Sequence, residues 1–195
     1  MPAAFPTING QTLIEKMSIR LKTSTVTMTS PFTFQQQTQD FGGRIWEAEV
    51  TIRLLSHTEA LQFDAFLTGL NGVAGTFYLG NPLMTHSAST NVTINGAQLA
   101  GDTTLAVTSA NTGAAVPAGH HIEIGGHLHM TLNEIPKNAN TSINIVPGLR
   151  EAVADNAAVT VNKPSGTWRL SKPEIEYDIE RSGQYSFNFS CVEAV

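Results

Sequence analysis

Charge is what this sequence has least of. Of its 195 residues only 14% are charged while 41% are hydrophobic, and ordinary soluble domains carry roughly 25% charged residues. A surface so thinly charged must be clothed in Thr, Asn, Ser, Gln and backbone, or covered by another protein, which favours a subunit of an assembly. Basic runs are missing too. The formal net charge is -5 and lysines and arginines stand singly, so the phosphate-neutralising stripe that nucleic-acid binders need is absent. There is one cysteine, Cys191, which excludes an intramolecular disulfide. Its place in Phe187-x-Phe189-x-Cys191 puts it on one strand face with two aromatics, the setting of a small buried filler. No stretch approaches the roughly 20 apolar residues of a membrane span, and the start lacks a basic residue followed by an apolar run of leader length. The sequence therefore predicts no membrane insertion and no secretory leader.

What is present is alternation. In Trp46-Glu47-Ala48-Glu49-Val50-Thr51-Ile52-Arg53-Leu54 the residues Trp46, Ala48, Val50, Ile52 and Leu54 share one face and charge lies on the other, the period-two mark of a half-buried antiparallel strand. Ile175, Tyr177 and Ile179 alternate with acidic residues in the same way, and Tyr185, Phe187, Phe189 and Cys191 alternate with Ser and Asn. One segment reads as helix. It opens on the capping box Ser56-His57-Thr58-Glu59, continues with Phe63, Phe66, Leu67 and Leu70 at helical spacing, and ends at a left-handed Gly69 or Gly72. Its aromatic stripe is the face a helix lays across an open sheet.

From about His86 to Pro164 the composition shifts to Ala, Thr, Asn, Gly and Val. Short apolar pairs recur between turn residues: Val92/Ile94, Leu105/Val107, Ile122/Ile124, Leu128/Met130/Leu132, Ile143/Ile145 and Val159/Val161. This suggests a small β-barrel. The expected fold class is mainly β: a β-sandwich core with one α-helix, formed by residues 1–85 and 165–195, and a small β-barrel domain inserted as residues 86–164. Such an insertion requires only that its ends lie close together at a surface.

Candidate chemistry is sparse. His120, His121, His127 and His129 cluster around Glu123, and imidazoles on neighbouring strands can converge on a metal. The spacing matches no zinc pattern and no cysteine is near, so a solvated hairpin face is the better reading. Parity sharpens it. A two-residue Gly125-Gly126 turn would put Ile124 opposite His127 and bury histidines with the isoleucines. A three-residue loop taking in Ile124, Gly125 and Gly126 would instead set Glu123 opposite His127 and His121 opposite His129, outside, with Ile122 meeting Leu128 inside. The latter is expected, with Glu123, His127 and His129 facing outward and no bound metal. The nucleophile-elbow pattern Gly-x-Ser-x-Gly does not occur. Gly69 to Gly75 is glycine-rich but lacks the Lys and Ser/Thr of a phosphate loop. The pairs Glu174/Glu176 and Asp178/Glu180 would sit at about 7 Å along a strand, a glycosidase-like spacing with nothing else to mark a sugar cleft. No residue is assigned a catalytic, cofactor-binding or metal-binding role, no cofactor is expected, and the chain is expected not to be an enzyme.

An ordered string of features resembles phage distal tail proteins and the related minor tail proteins, the baseplate ring subunits of long-tailed phages. These are Pro6 to Gly10, the Ser30-Pro31-Phe32-Thr33 turn, Trp46-Glu47-Ala48 opening a strand, the capped helix ending in Phe66-Leu67-x-Gly69-Leu70-Asn71-Gly72, and Gly75-Thr76-Phe77-Tyr78-Leu79-Gly80-Asn81-Pro82. The inserted segment is similar as well, with Ala118-Gly119, the Gly125-Gly126 turn, Pro147-Gly148-Leu149-Arg150 and a polar turn at Asp155-Asn156; the histidine-rich hairpin departs from it. The resemblance implies a structural protein of the virion tail tip, assembled in the host cytoplasm. It implies a ring of copies, usually a hexamer, that joins the tail tube protein to the baseplate hub or tail fibre proteins. DNA would pass through its channel only as cargo, and a net negative wall would not hold it. The alternative is a tail module that binds carbohydrate or a receptor protein through the insertion. Residues 86–164 contain no Trp, Tyr or Phe, which argues against stacking on sugar and leaves protein docking.

Overall fold

The computed structural model describes residues 1–8, 10–86, 91–110, 113–181 and 183–195. Its elements in chain order are β1 (Thr7–Ile8), β2 (Gln11–Thr12), β3 (Ile14–Thr29), β4 (Gln36–Ile52), α1 (His57–Gly69), β5 (Phe77–Leu79), β6 (Val92–Ile94) and β7 (Thr104–Ser109). They continue with β8 (His121–Ile124), β9 (His127–Thr131), β10 (Ala139–Val146), β11 (Ala158–Val159), β12 (Gly166–Leu170), β13 (Tyr177–Ile179) and β14 (Tyr185–Glu193). The fold is mainly β with one helix, as the alternation predicts.

Strands from both ends of the chain make the first sheet, in the order β3-β4-β14-β12-β5, with β13 added beside β14. Trp46, Ala48, Val50 and Ile52 are buried on its inner face, opposite Phe187 and Cys191 of β14. Leu54 departs from the expected stripe: β4 ends at Ile52, Leu54 is exposed, and it is Leu55 that is buried, bridged to Tyr185. Helix α1 covers this face through a cluster of phenylalanine rings. Phe63 meets Phe187 edge-on at 5.0 Å, and Phe5, Phe66, Phe77 and Phe189 surround them. Such pairs are each worth about 0.5–1.5 kcal/mol beyond the area they bury. The capping box forms, with Glu59 accepting the Ser56 backbone N–H at 3.0 Å. Arg53 beside Glu59 holds that carboxyl down at about 2. Gly69 closes the helix without turning left-handed; Asn71 and Gly72 do that just beyond it. Strand β13 is present but covers little, since Tyr177 and Ile179 remain exposed.

The second sheet contains only strands of the middle segment, in the order β11-β6-β7-β10-β9-β8. Glu123 on β8 and Thr160 just past β11 exchange backbone hydrogen bonds of 2.9 Å, which all but closes the sheet into a barrel. The barrel fills with the apolar pairs read from the sequence: Val92, Ile94, Leu105, Val107, Ile122, Ile124, Ile143, Ile145, Val159 and Val161. Leu128 and Met130 are the exception. They point out of the barrel and join the core of the first sheet, while Leu132 lies exposed.

Candidate assembly surface

The histidine hairpin is where sequence reasoning fails. Strands β8 and β9 pair Ile124 with His127, Glu123 with Leu128, Ile122 with His129 and His121 with Met130. The turn is therefore the two-residue Gly125-Gly126 connection, both glycines at positive φ (60° and 79°), as a type I′ hairpin demands. Parity then puts His127 and His129 on the face of Ile122 and Ile124, and His129 is wholly buried. The expected outward face of Glu123, His127 and His129 does not exist. One side of the hairpin looks into the barrel, and the other is pressed against the first sheet.

Polar groups line that seam in pairs. Trp46 donates its ring N–H to the Leu128 carbonyl at 2.9 Å, and its own ring lies 5.4 Å from that of His121. Thr167 donates both its backbone N–H and its hydroxyl to Gly126 O, and Glu123 accepts from the Ser165 N–H and hydroxyl. At the centre Arg150, from the barrel, forms a two-pronged ion pair with buried Glu193 of β14 and donates to the Arg44 carbonyl at 2.8 Å. The Trp46 backbone N–H completes the carboxylate's shell at 3.2 Å.

His129 Nδ1 donates to the Pro147 carbonyl at 2.9 Å, which leaves Nε2 the acceptor nitrogen, buried and without a hydrogen bond. Burial pushes this imidazole down to about 4 and also lowers His121. His129 therefore stays neutral well into acid. His120 Nε2 meets the Val161 carbonyl at 2.9 Å, and His127 Nδ1 sits 3.8 Å from Glu193, outside hydrogen-bond range. Among the described residues no three His, Cys, Asp or Glu side chains are grouped to hold a metal. Cys191 is buried as expected, and burial pushes its thiol up to about 12. The histidines are thus packing and hydrogen-bonding groups of an internal joint.

What reads in the sequence only as a turn at Ser30-Pro31-Phe32-Thr33 is the tip of a long arm. Strands β3 and β4 remain paired far beyond the rest of their sheet: β14 accompanies β4 only over Glu47 to Thr51, while the β3–β4 ladder runs out to Thr29 and Gln36. The ladder shifts register at Glu15, near its base, and again between Thr23/Arg44 and Thr25/Asp40, where Ser24 opposes Phe41, Gly42 and Gly43. Gly42 takes φ 74°, and a Cβ on Gly43 would come within 3.0 Å of Ser24 Cβ. Past this point every residue is exposed except Ser30, which is half-buried in the turn. Val26, Met28, Phe32, Phe34 and Phe41 all stand in solvent, Phe32 at 91% exposure. Phe34 is held at φ 54°, tied by its N–H to Ser30 O. A bulky side chain in that region is strained, commonly by about 1–2 kcal/mol. Below the arm the same outer face is charged, with Arg20 and Lys22 bridging Glu47 and Glu49.

A signal for the arm was available: between Lys22 and Arg44 the only charged residue is Asp40, and Val26 and Met28 alternate with threonines. Comparison with family models and with curated proteins gives no match.

Proposed function

We propose that this chain is a structural subunit of the tail tip of a long-tailed phage. Copies form a closed ring, hexameric by the resemblance, that joins the tail tube protein to the baseplate hub or tail fibre proteins and leaves a channel for DNA. The observation that carries this reading is the arm. A two-stranded ribbon on its own is marginal in water, and one that ends in exposed phenylalanines is a surface built to be covered. Head-to-tail contacts between identical subunits close into a ring when the rotation per copy divides a full turn. The sparse charge supports the same role, since most of a ring subunit's surface meets other protein. The chain has no assigned catalytic group, and its buried histidines are engaged in packing.

Electron cryomicroscopy of the parent particle tests the proposal. The expected result is density for this chain as a symmetric ring around the tail axis. A single off-axis copy per particle, or a tail that lacks the chain, overturns it. Zymography on peptidoglycan is expected to give no cleared zone; a cleared zone would favour a cell-wall hydrolase instead.

A further inference from the structure

The arm and a groove on the same molecule are complementary in chemistry but cannot meet within one chain. The groove, of about 480 Å³, opens at the edge of the first sheet where it borders the barrel, and is walled by Ile14, Met17, Ile19, Pro82, Leu83 and His121. Ile14, Met17 and Ile19 are only partly buried and Leu83 is 87% exposed. Among its lining residues Glu15 is the one carboxylate and His121 the one imidazole. A largely apolar groove with a single carboxylate on its wall thus stands on the molecule that carries an almost uncharged apolar arm.

Both belong to one ribbon. Met17 and Met28 lie on the same strand, and 11 residues at about 3.3 Å each separate them by roughly 36 Å. The two strands stay paired on both sides of the interruption at Ser24, so the arm runs away from the groove and not back toward it. Any arm that fills such a groove must therefore come from another copy. The area is of the right order: three phenylalanines bury about 150–250 Å² each, more than half of the roughly 800 Å² per partner that a specific interface needs.

We infer that the arm of one copy, residues 23–43, seats Phe32 and its neighbours in the Ile14/Met17/Ile19/Leu83 groove of a second copy of this chain. The contact stands on its own. Only its direction, each arm reaching the next copy around a ring, rests on the reading proposed above.

The test takes the full chain with a photo-crosslinking residue in place of Phe32, raised through a concentration series, with adducts mapped by peptide mass spectrometry. Sedimentation of the unmodified chain is run beside that of a Phe32→Ser/Phe34→Ser variant. Near-ultraviolet circular dichroism checks that the variant keeps its core, which these exposed side chains do not touch. The expected result is chain-to-chain adducts on residues 12–19 or 81–83, with oligomers that the double variant loses. Adducts confined elsewhere, a chain that stays monomeric without adducts at every concentration, or a double variant that sediments like the unmodified chain overturns the inference. Groove adducts in a species that stops at two copies uphold the arm contact and count against the ring. Closed oligomers that survive the double variant do the reverse.

Discussion

Two hairpins in this molecule invert what their compositions suggest. The β8–β9 hairpin carries four of the cluster's polar side chains, His121, Glu123, His127 and His129, and is covered on both faces. The outer half of the β3–β4 hairpin carries Val26, Met28, Phe32, Phe34 and Phe41, and is covered on neither. The difference lies in what surrounds each ribbon. Histidine is tolerable inside when a carbonyl or a ring is positioned to meet it, and here Pro147, Val161 and Trp46 are so positioned. A cluster of phenylalanines left outside is the mark of a contact surface. One hairpin is an internal joint and the other an exposed apolar ribbon.

The sharpest way to break the contrast is to break the joint. Arg150→Ala leaves the Glu193 carboxylate buried with the Trp46 N–H as its hydrogen-bond donor and His127 3.8 Å away. We expect a loss of about 3–5 kcal/mol in urea unfolding, the usual result of orphaning a buried charge. A loss below about 1 kcal/mol would mean that the seam is wet and that the two sheets are merely tethered.

Acid should loosen the same joint. The folded value of His129, near 4, lies below the ordinary histidine value near 6.5, so above that pH the imidazole is neutral in both states and exacts nothing. As the pH falls from about 6.5 toward 4 the unfolded chain takes up a proton that the folded chain refuses, and stability declines by up to about 3 kcal/mol. Urea midpoints measured across that window should fall, and His129→Gln should flatten the decline. An equal slope in the variant would assign the acid sensitivity elsewhere.

A smaller effect sharpens the turn. Gly126→Ala places a Cβ at φ 79° and should lower stability by about 1 kcal/mol. A neutral result would show that the turn relaxes to the three-residue form. Smallest of all, Phe41→Ser on the arm should leave the urea midpoint of the isolated chain within about 0.5 kcal/mol of the original. A larger loss would mean that Phe41 packs within its own chain and that the arm is not free.

Much of this fold is legible in the sequence because its strands are long or regular enough to show a period. The Trp46 strand as far as Ile52, the capped helix and five apolar pairs of residues 92–161 appear where alternation or spacing puts them. Leu128 and Met130 do not, because a strand that packs on both sides has no polar face, and parity alone cannot say which apolar set belongs to which core. The histidine turn misled for a related reason. The three-residue loop was favoured on the premise that polar side chains should face water, and Glu123, which does turn away from the barrel, meets Ser165 rather than solvent. The arm was missed because threonine and glutamine alternation with no buried face resembles a loop as much as a strand. The scarcity of charge between Lys22 and Arg44 hints at it, and the register of β3 on β4 establishes it.

That register has a mechanical consequence. A pull on the arm tip along its length is borne by the five residue pairs between β4 and β14 together, in shear, so no single hydrogen bond yields before the rest. A push from the side meets the interruption at Ser24, opposite Phe41, Gly42 and Gly43, where ladder hydrogen bonds are missing. The ribbon is thus stiffest along its length and weakest to bending at its root, the mechanical character of a tether.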